Sequence, residues 1–187
     1  MPDLSGFVPR AVMTAAEYLD TEETNRPREL TYGILRDAPG PSFGHQDCVF
    51  QLARALAQHV ESNSLGRVAV APIDVVLDAD LHLIVQPDIL FISTGRTSII
   101  RDQIWGAPDL VVEVLSPGTA SHDRGDKLGW YRRYGVREYW LVDPRARTIQ
   151  VHAFDERDSP RAIFRGANPI ASMLLPELKI TAFQIFG

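Results

Sequence analysis

Three residues of this chain have types and spacing suited to phosphoester chemistry. They are Asp88 in "VQPDILFIS", Glu113 in "GAPDLVVEVLSPG" and Lys127 in "SHDRGDKLGWYRRYG". Both Pro-Asp stretches read as strands, rich in Val, Ile and Leu and bounded by turn residues. Side chains alternate across a strand, so Asp109, Val111, Glu113 and Leu115 point one way and Leu110, Val112, Val114 and Ser116 the other. A carboxylate among aliphatic neighbours is costly unless it meets a cation, either an arginine from another element or a metal. If the two strands are neighbours, Asp88 lies opposite Glu113. Two hard oxygen ligands close together suit magnesium or manganese and leave room for water and a phosphate oxygen. A metal would lower the pKa of its water, and a nearby ammonium would orient the nucleophile and offset charge in the transition state. Lys127 is the candidate ammonium, in the first turns of the next helix; the alternative is a solvent-exposed helical lysine. Asp109 reads as turn chemistry after Pro108 at a strand edge, or else as a polar neighbour of the site.

The elements that must position these groups follow from periodicity. "TAAEYLD" reads as a short helix capped by Thr14. "RELTYGILRD" reads as a strand and "APGPSFG" as a turn or loop. "HQDCVFQLARALAQHVESN" is an amphipathic helix, with Val49, Leu52, Ala53, Leu56, Ala57 and Val60 on one stripe and His45 one turn before Val49. "RVAVAPIDVVLD" and "LHLIVQPDILFIS" suggest a hairpin. "GAPDLVVEVLSPG" is apolar enough for a strand covered on both faces. In the helix that follows, Asp123 is a candidate cap and Gly135 a stop. "VREYWLVD" and "TIQVHAF" make another hairpin, and the tail reads as strand, loop and short strand. The expected fold is α/β: a mixed sheet flanked by helices, in one domain spanning residues 1–187.

Bulk properties set limits on function. The chain has 187 residues, 45% of them hydrophobic, and a net charge of −5. A protein that coats DNA non-specifically is usually basic, whereas a nucleic-acid enzyme needs only local positive charge. Residues 121–147 carry seven Lys and Arg against four Asp and Glu, which a solvated face also explains. The single cysteine, Cys48, cannot form an internal disulfide, which suits a reducing compartment such as the cytoplasm. The N-terminal stretch lacks the pattern of a signal peptide, and no apolar run is long enough for a bilayer, so no membrane association is expected. Trp130, Tyr131, Tyr134, Tyr139 and Trp140 read as core rather than as a base-stacking platform, from their helical and then alternating spacing. Ser116 reads as a turn former before Pro117 rather than as a nucleophile.

The stretches "VQPDILFIS" and "GAPDLVVEVLSPGTASHDRGDKLGWYRRYGVREYWLVDPRARTIQVH" closely resemble the Uma-two family of restriction-endonuclease-like proteins, in the PD-(D/E)xK nuclease superfamily. Weaker likeness extends to "MTAAEYLD", "RPREL", the "HQ" helix and "LLPELKI". The resemblance implies the restriction-endonuclease-like fold and a Mg- or Mn-dependent nuclease acting on DNA. Asp88 matches the motif aspartate and Glu113 the acid of the (D/E)xK element. The usual lysine position is Leu115 here, and Lys127 matches a lysine displaced to the following helix. By the same analogy the carbonyl of Val114 is a third metal ligand, and Glu29 and His45 are polar residues beside the site. They read otherwise as a surface glutamate and a partly buried histidine. A departure stands at Tyr32, where the family pattern has an acid before glycine. The resemblance also implies a homodimer, with the edge of "TIQVHAF" as a candidate seam. Two other functions compete: a non-catalytic dimeric nucleic-acid-binding or interaction module retaining the nuclease fold, and a metal-dependent hydrolase of another phosphate ester.

Overall fold

Thr14 caps α1 (Ala15–Leu19), as the sequence predicts, and Glu17 closes the cap reciprocally. The structure, a computed structural model, describes residues 12–22, 26–154 and 162–187. The expectation about a leader rests mostly on residues 1–11, which lie outside these. The stretch "RELTYGILRD", expected as one strand, is a hairpin of β1 (Arg28–Thr31) and β2 (Ile34–Asp37). Its turn residues Tyr32 and Gly33 have φ of 48° and 80°. A two-residue type I′ turn requires this pair of positive angles. A β-carbon at Gly33 would collide with Val12, so glycine is required there. Tyrosine seldom adopts positive φ, which hid the turn from sequence reasoning.

Ser42 caps α2 (Phe43–Ser62), whose buried stripe is Cys48, Val49, Leu52, Leu56 and Val60. Next come β3 (Gly66–Val70), β4 (Val75–Asp78), β5 (Leu83–Val85) and β6 (Ile89–Ser93). They form the expected hairpin, but it is shared between two sheets: β3 pairs with β6 and β4 with β5. Each arm carries a proline where it changes sheet, Pro72 and Pro87. Proline has no N–H to give a ladder, so it interrupts pairing there.

β7 (Ile104–Trp105) and β8 (Leu110–Val114) precede a helical segment. That segment runs through α3 (Ala120–His122), a π-turn at Asp123–Lys127 and α4 (Leu128–Tyr134), and ends at Gly135 with φ of 91°. Asp123, expected as its cap, instead lies in the π-turn. β9 (Glu138–Asp143) and β10 (Thr148–Ala153) make the expected hairpin. β11 (Ala162–Phe164) adds to it. The tail then ends in a helix, α5 (Ala182–Phe186), not a strand, because Thr181 and Gln184 form a capping box. β11 covers the outer edge of β10 over Ile149–Val151, which narrows the edge that "TIQVHAF" offers as a candidate dimer seam.

The five-stranded sheet has the order β2-β1-β5-β4-β7, and the six-stranded sheet β11-β10-β9-β8-β6-β3. Each contains one parallel pair, β4–β7 or β8–β9, so both are mixed. The alternation of β8 sorts its side chains between two cores. Leu110, Val112 and Val114 pack with α2 and α5. Val111 and Leu115 face β4, β5 and α4. A third cluster joins α1 to the outer face of the five-stranded sheet through Tyr18, Leu30, Val76 and Ile84. Burying such a side chain fully contributes about 1.5–3 kcal/mol. Trp130, Tyr131, Tyr139 and Trp140 are core residues, as their spacing predicts. Among the described residues, no helix is long and apolar enough to cross a membrane.

Candidate active site

β8 lies between β6 and β9, and its five residues are all buried. Glu113 is therefore committed to the interior by its position in the strand. The antiparallel register pairing Ile89 with Val112 brings Asp88, just before β6, level with Glu113. Asp88 Oδ2 accepts a 2.7 Å hydrogen bond from the Val114 N–H and lies 3.3 Å from His45 Nε2 at the start of α2. Lys127 comes back over the strand's end from the π-turn. Its Nζ is 2.9 Å from Glu113 Oε1, 2.8 Å from Glu29 Oε1 and 3.7 Å from Asp123 Oδ1. Tyr131 O–H donates to the same Glu113 oxygen at 2.8 Å. Glu29 also accepts from the Gln86 N–H at 3.0 Å and has His122 Nε2 at 3.8 Å.

The π-turn explains why Asp123 and Lys127 both point inward. A π-turn widens the helix locally and re-aims side chains, and such turns recur at functional sites. Asp123 and Lys127 are 2% and 5% exposed. The Tyr139 O–H donates to the Asp123 carbonyl, bracing the turn against β9.

The electrostatics show a surplus of negative charge. Burial would raise Glu29, but the Lys127 charge, the nearby His122 ring and hydrogen bonds from Lys127 and Gln86 hold it down at about 2. Burial pushes Glu113 well above the usual carboxylate range; Lys127 opposes this, and Asp123, Asp88 and Glu29 reinforce it. Asp123 is raised too, chiefly by burial. Burial works against the Lys127 ammonium, yet Glu113, Glu29 and Asp123 hold its pKa well above that of a free lysine. One ammonium thus faces several carboxylates, and Glu113 and Asp123 bear the deficit. His45 is raised: desolvation lowers it, and the hydrogen bond and charge of Asp88 outweigh that.

These side chains line one cleft of about 460 Å³, together with Val114, Ser116 and the loops around Pro39 and Gly118. The donor chemistry fits a divalent cation of the Mg or Mn type: hard oxygens, an uncompensated negative charge and an open cleft beside Asp88 and Glu113. In the arrangement present, Lys127 and Tyr131 hold Glu113 Oε1. Among the described residues no group of three or more His, Cys, Asp or Glu side chains is preassembled as a cation site.

Asp88, Glu113, Val114, Lys127, Glu29 and His45 are thus brought together. Asp109 is not. It is fully buried at the other end of β8, about 13 Å away at the rise of a strand. There it pairs with Arg96 at 3.1 Å and Arg137 at 3.5 Å and accepts from the Ser93 N–H at 2.9 Å. Its partners tie β8 to the segment after β6 and to β9. Sequence reasoning missed Asp123 as a wall of the cleft, along with Tyr131, His122 and Gln86. The helical spacing of Asp123, Lys127 and Tyr131, each four apart, was the available signal.

A layered mixed α/β fold with a buried lysine among carboxylates at one end of its central strands defines a restriction-endonuclease-like protein. The matches with known proteins agree. Residues 15–182 match the model of the Uma2 family, described as "Putative restriction endonuclease", and the chain belongs to that family. A relative in Synechocystis, "Uncharacterized protein sll1609", is 29% identical over 135 residues, covering 71% of this chain and 75% of that protein. A crystal structure described as "a putative nuclease belonging to DUF820 from Anabaena variabilis" has the same fold. Its TM-score is 0.78 at 19% identity, over 93% of this chain and 97% of that one.

Proposed function

We propose that the protein is a divalent-metal-dependent endonuclease that hydrolyses phosphodiester bonds in DNA, working in the cytoplasm, with a homodimer as its working form. The observation that carries this reading is the meeting of Asp88, Glu113 and Lys127 in one cleft of a Uma2-family chain. Asp88 and Glu113 would hold Mg or Mn together with the Val114 carbonyl, and the ion when bound would supply Lewis acidity at the phosphate and activate water. The Lys127 ammonium would orient the attacking water and offset charge developing on the phosphate oxygens. Glu29 and Asp123 keep that ammonium charged and aimed at the cleft. Tyr131 fixes the rotamer of Glu113 from behind. His45 holds the Asp88 carboxylate against the Val114 amide.

One observation favours a non-catalytic module: the direct Lys127–Glu113 ion pair at 2.9 Å. The carboxylates around that pair speak against it, since Asp88, Glu29 and Asp123 line the same cleft and exceed what one ammonium neutralises.

The test is cleavage of supercoiled plasmid and single-stranded DNA with Mg, Mn or EDTA. Wild type is compared with Glu113→Ala and Lys127→Ala, with folding verified for each. Metal-dependent cutting lost in both variants is expected. Cutting that survives both would assign the activity elsewhere, and a folded wild type that neither binds metal nor cuts would favour the module.

A further inference from the structure

We infer that the cleft takes a single strand of DNA rather than an intact duplex; this inference rests on the nuclease reading. The groups that would act on a phosphate lie deep: the Glu113 and Lys127 side chains are 5% and 6% exposed. A cleft of about 460 Å³ is on the scale that encloses one small-molecule-sized unit of a substrate. Two proline-bearing loops wall it, residues 38–42 after β2 and residues 116–119 after β8. They meet at Pro39 and Gly118, where a β-carbon on Gly118 would stand 3.9 Å from the Pro39 Cγ. Pro39, Pro41 and Pro117 fix φ along both loops and resist spreading. A walled cleft admits one flexible backbone more readily than a stiff paired helix, which must lie across its rim.

Charge points the same way. Arg36 and Lys127, with His45 and His122 whose pKa values are raised, face Glu29, Asp37, Asp88, Glu113 and Asp123 across the cleft wall. Duplex DNA packs one negative charge per roughly 1.7 Å of axis, twice the density of either strand alone, so an acidic cleft rejects it more strongly.

Two exposed rings near the cleft supply what a single strand uses. The cleft-wall His122 packs edge-on against the buried Trp130 at 5.2 Å, and Trp130 packs edge-on against Tyr32 at 5.8 Å, which fixes Tyr32 two rings away from the cleft. Tyr32 is 42% exposed. Phe43, 87% exposed, follows the cleft-lining Ser42 at the start of α2. Unpaired bases stack on such rings with little sequence preference.

The test uses one fluorescein-labelled oligonucleotide, alone and annealed to its complement. Binding is read by anisotropy with Ca in place of Mg, and cutting is read with Mn. The proteins are wild type, Phe43→Ala and Tyr32→Asn, the last chosen because asparagine tolerates positive φ. Tighter binding of the single strand by roughly tenfold or more is expected, with that preference reduced severalfold in the aromatic variants. Binding selectivity without cutting would keep this inference and overturn the nuclease. Cutting of duplex as fast as single strand would do the reverse. Binding of neither form, or a preference untouched by both substitutions, would overturn the inference.

Discussion

The Lys127 ammonium sits 2.9 Å from the Glu113 carboxylate, with both side chains almost closed to water. Neither charge would be tolerated there alone, since a lone buried ion bears a desolvation cost its partner must offset. In the proposed function the same contact would hold the lysine beside the scissile phosphate, which would couple stability to chemistry at this pair.

Replacing Lys127 with Met leaves Glu29 and Glu113 buried without their cation. The expected cost is about 3–5 kcal/mol in urea unfolding at neutral pH. Adding Glu113→Gln to that variant should recover part of the loss. Additive effects of the two substitutions would show that the pair is not energetically coupled.

Tyr131→Phe removes one donor from Glu113 and leaves the ring in the core. A loss of about 1.5–3 kcal/mol is expected, as for a hydrogen bond to a charged group. Cleavage should fall with it, through kcat more than KM, because Tyr131 touches the carboxylate and not the substrate.

Glu29 gives a pH signature. Its pKa is about 2 in the folded protein against an ordinary glutamate value of 4.5. A depressed carboxylate stabilises the fold at pH above its unfolded pKa, and that contribution is lost as pH falls through the window from 4.5 to 2. The linkage amounts to about 3 kcal/mol, to order of magnitude. Stability measured from pH 7 down to pH 3 should therefore fall less steeply in Glu29→Gln than in wild type. Parallel curves would remove Glu29 from the acid limb.

Divalent cations should raise the melting temperature without any nucleic acid present. Saturation at a hundred times Kd corresponds to about 2.7 kcal/mol. Asp88→Ala or Glu113→Ala should abolish the shift. An unchanged shift in both would place the ion elsewhere.

Asp109→Ala separates structure from site. It strips Arg96 and Arg137 of their shared carboxylate and leaves the Ser93 N–H unpaired in the interior. A cost of about 1–3 kcal/mol is expected, mostly from the unpaired Ser93 N–H because both arginines keep access to water, with cation binding of the folded protein unchanged. Weakened cation binding would return Asp109 to the neighbourhood of the site.

The sequence by itself determined the local facts. Alternation along "PDLVVEVLS" put Glu113 on the face of Val111 and Leu115, and helical spacing put His45 on the buried stripe of α2. The motif pattern tied Asp88, Glu113 and Lys127 together before any distance was known. These are consequences of period, and period is written in neighbouring residues. Only the tertiary structure decided the rest, because it depends on pairings between distant segments. The Pro72 and Pro87 arms pass from one sheet to the other, which delivers β5 beside β1. The Glu29–Lys127 contact joins the first strand to a helix nearly a hundred residues later. No local rule foretells the π-turn that turns Asp123 from an expected cap into a wall of the cleft. Asp109 and Glu113 share one strand and one face, yet they do different work. Four residues of extended chain carry them to opposite ends of the sheet, where arginines meet one and a lysine meets the other.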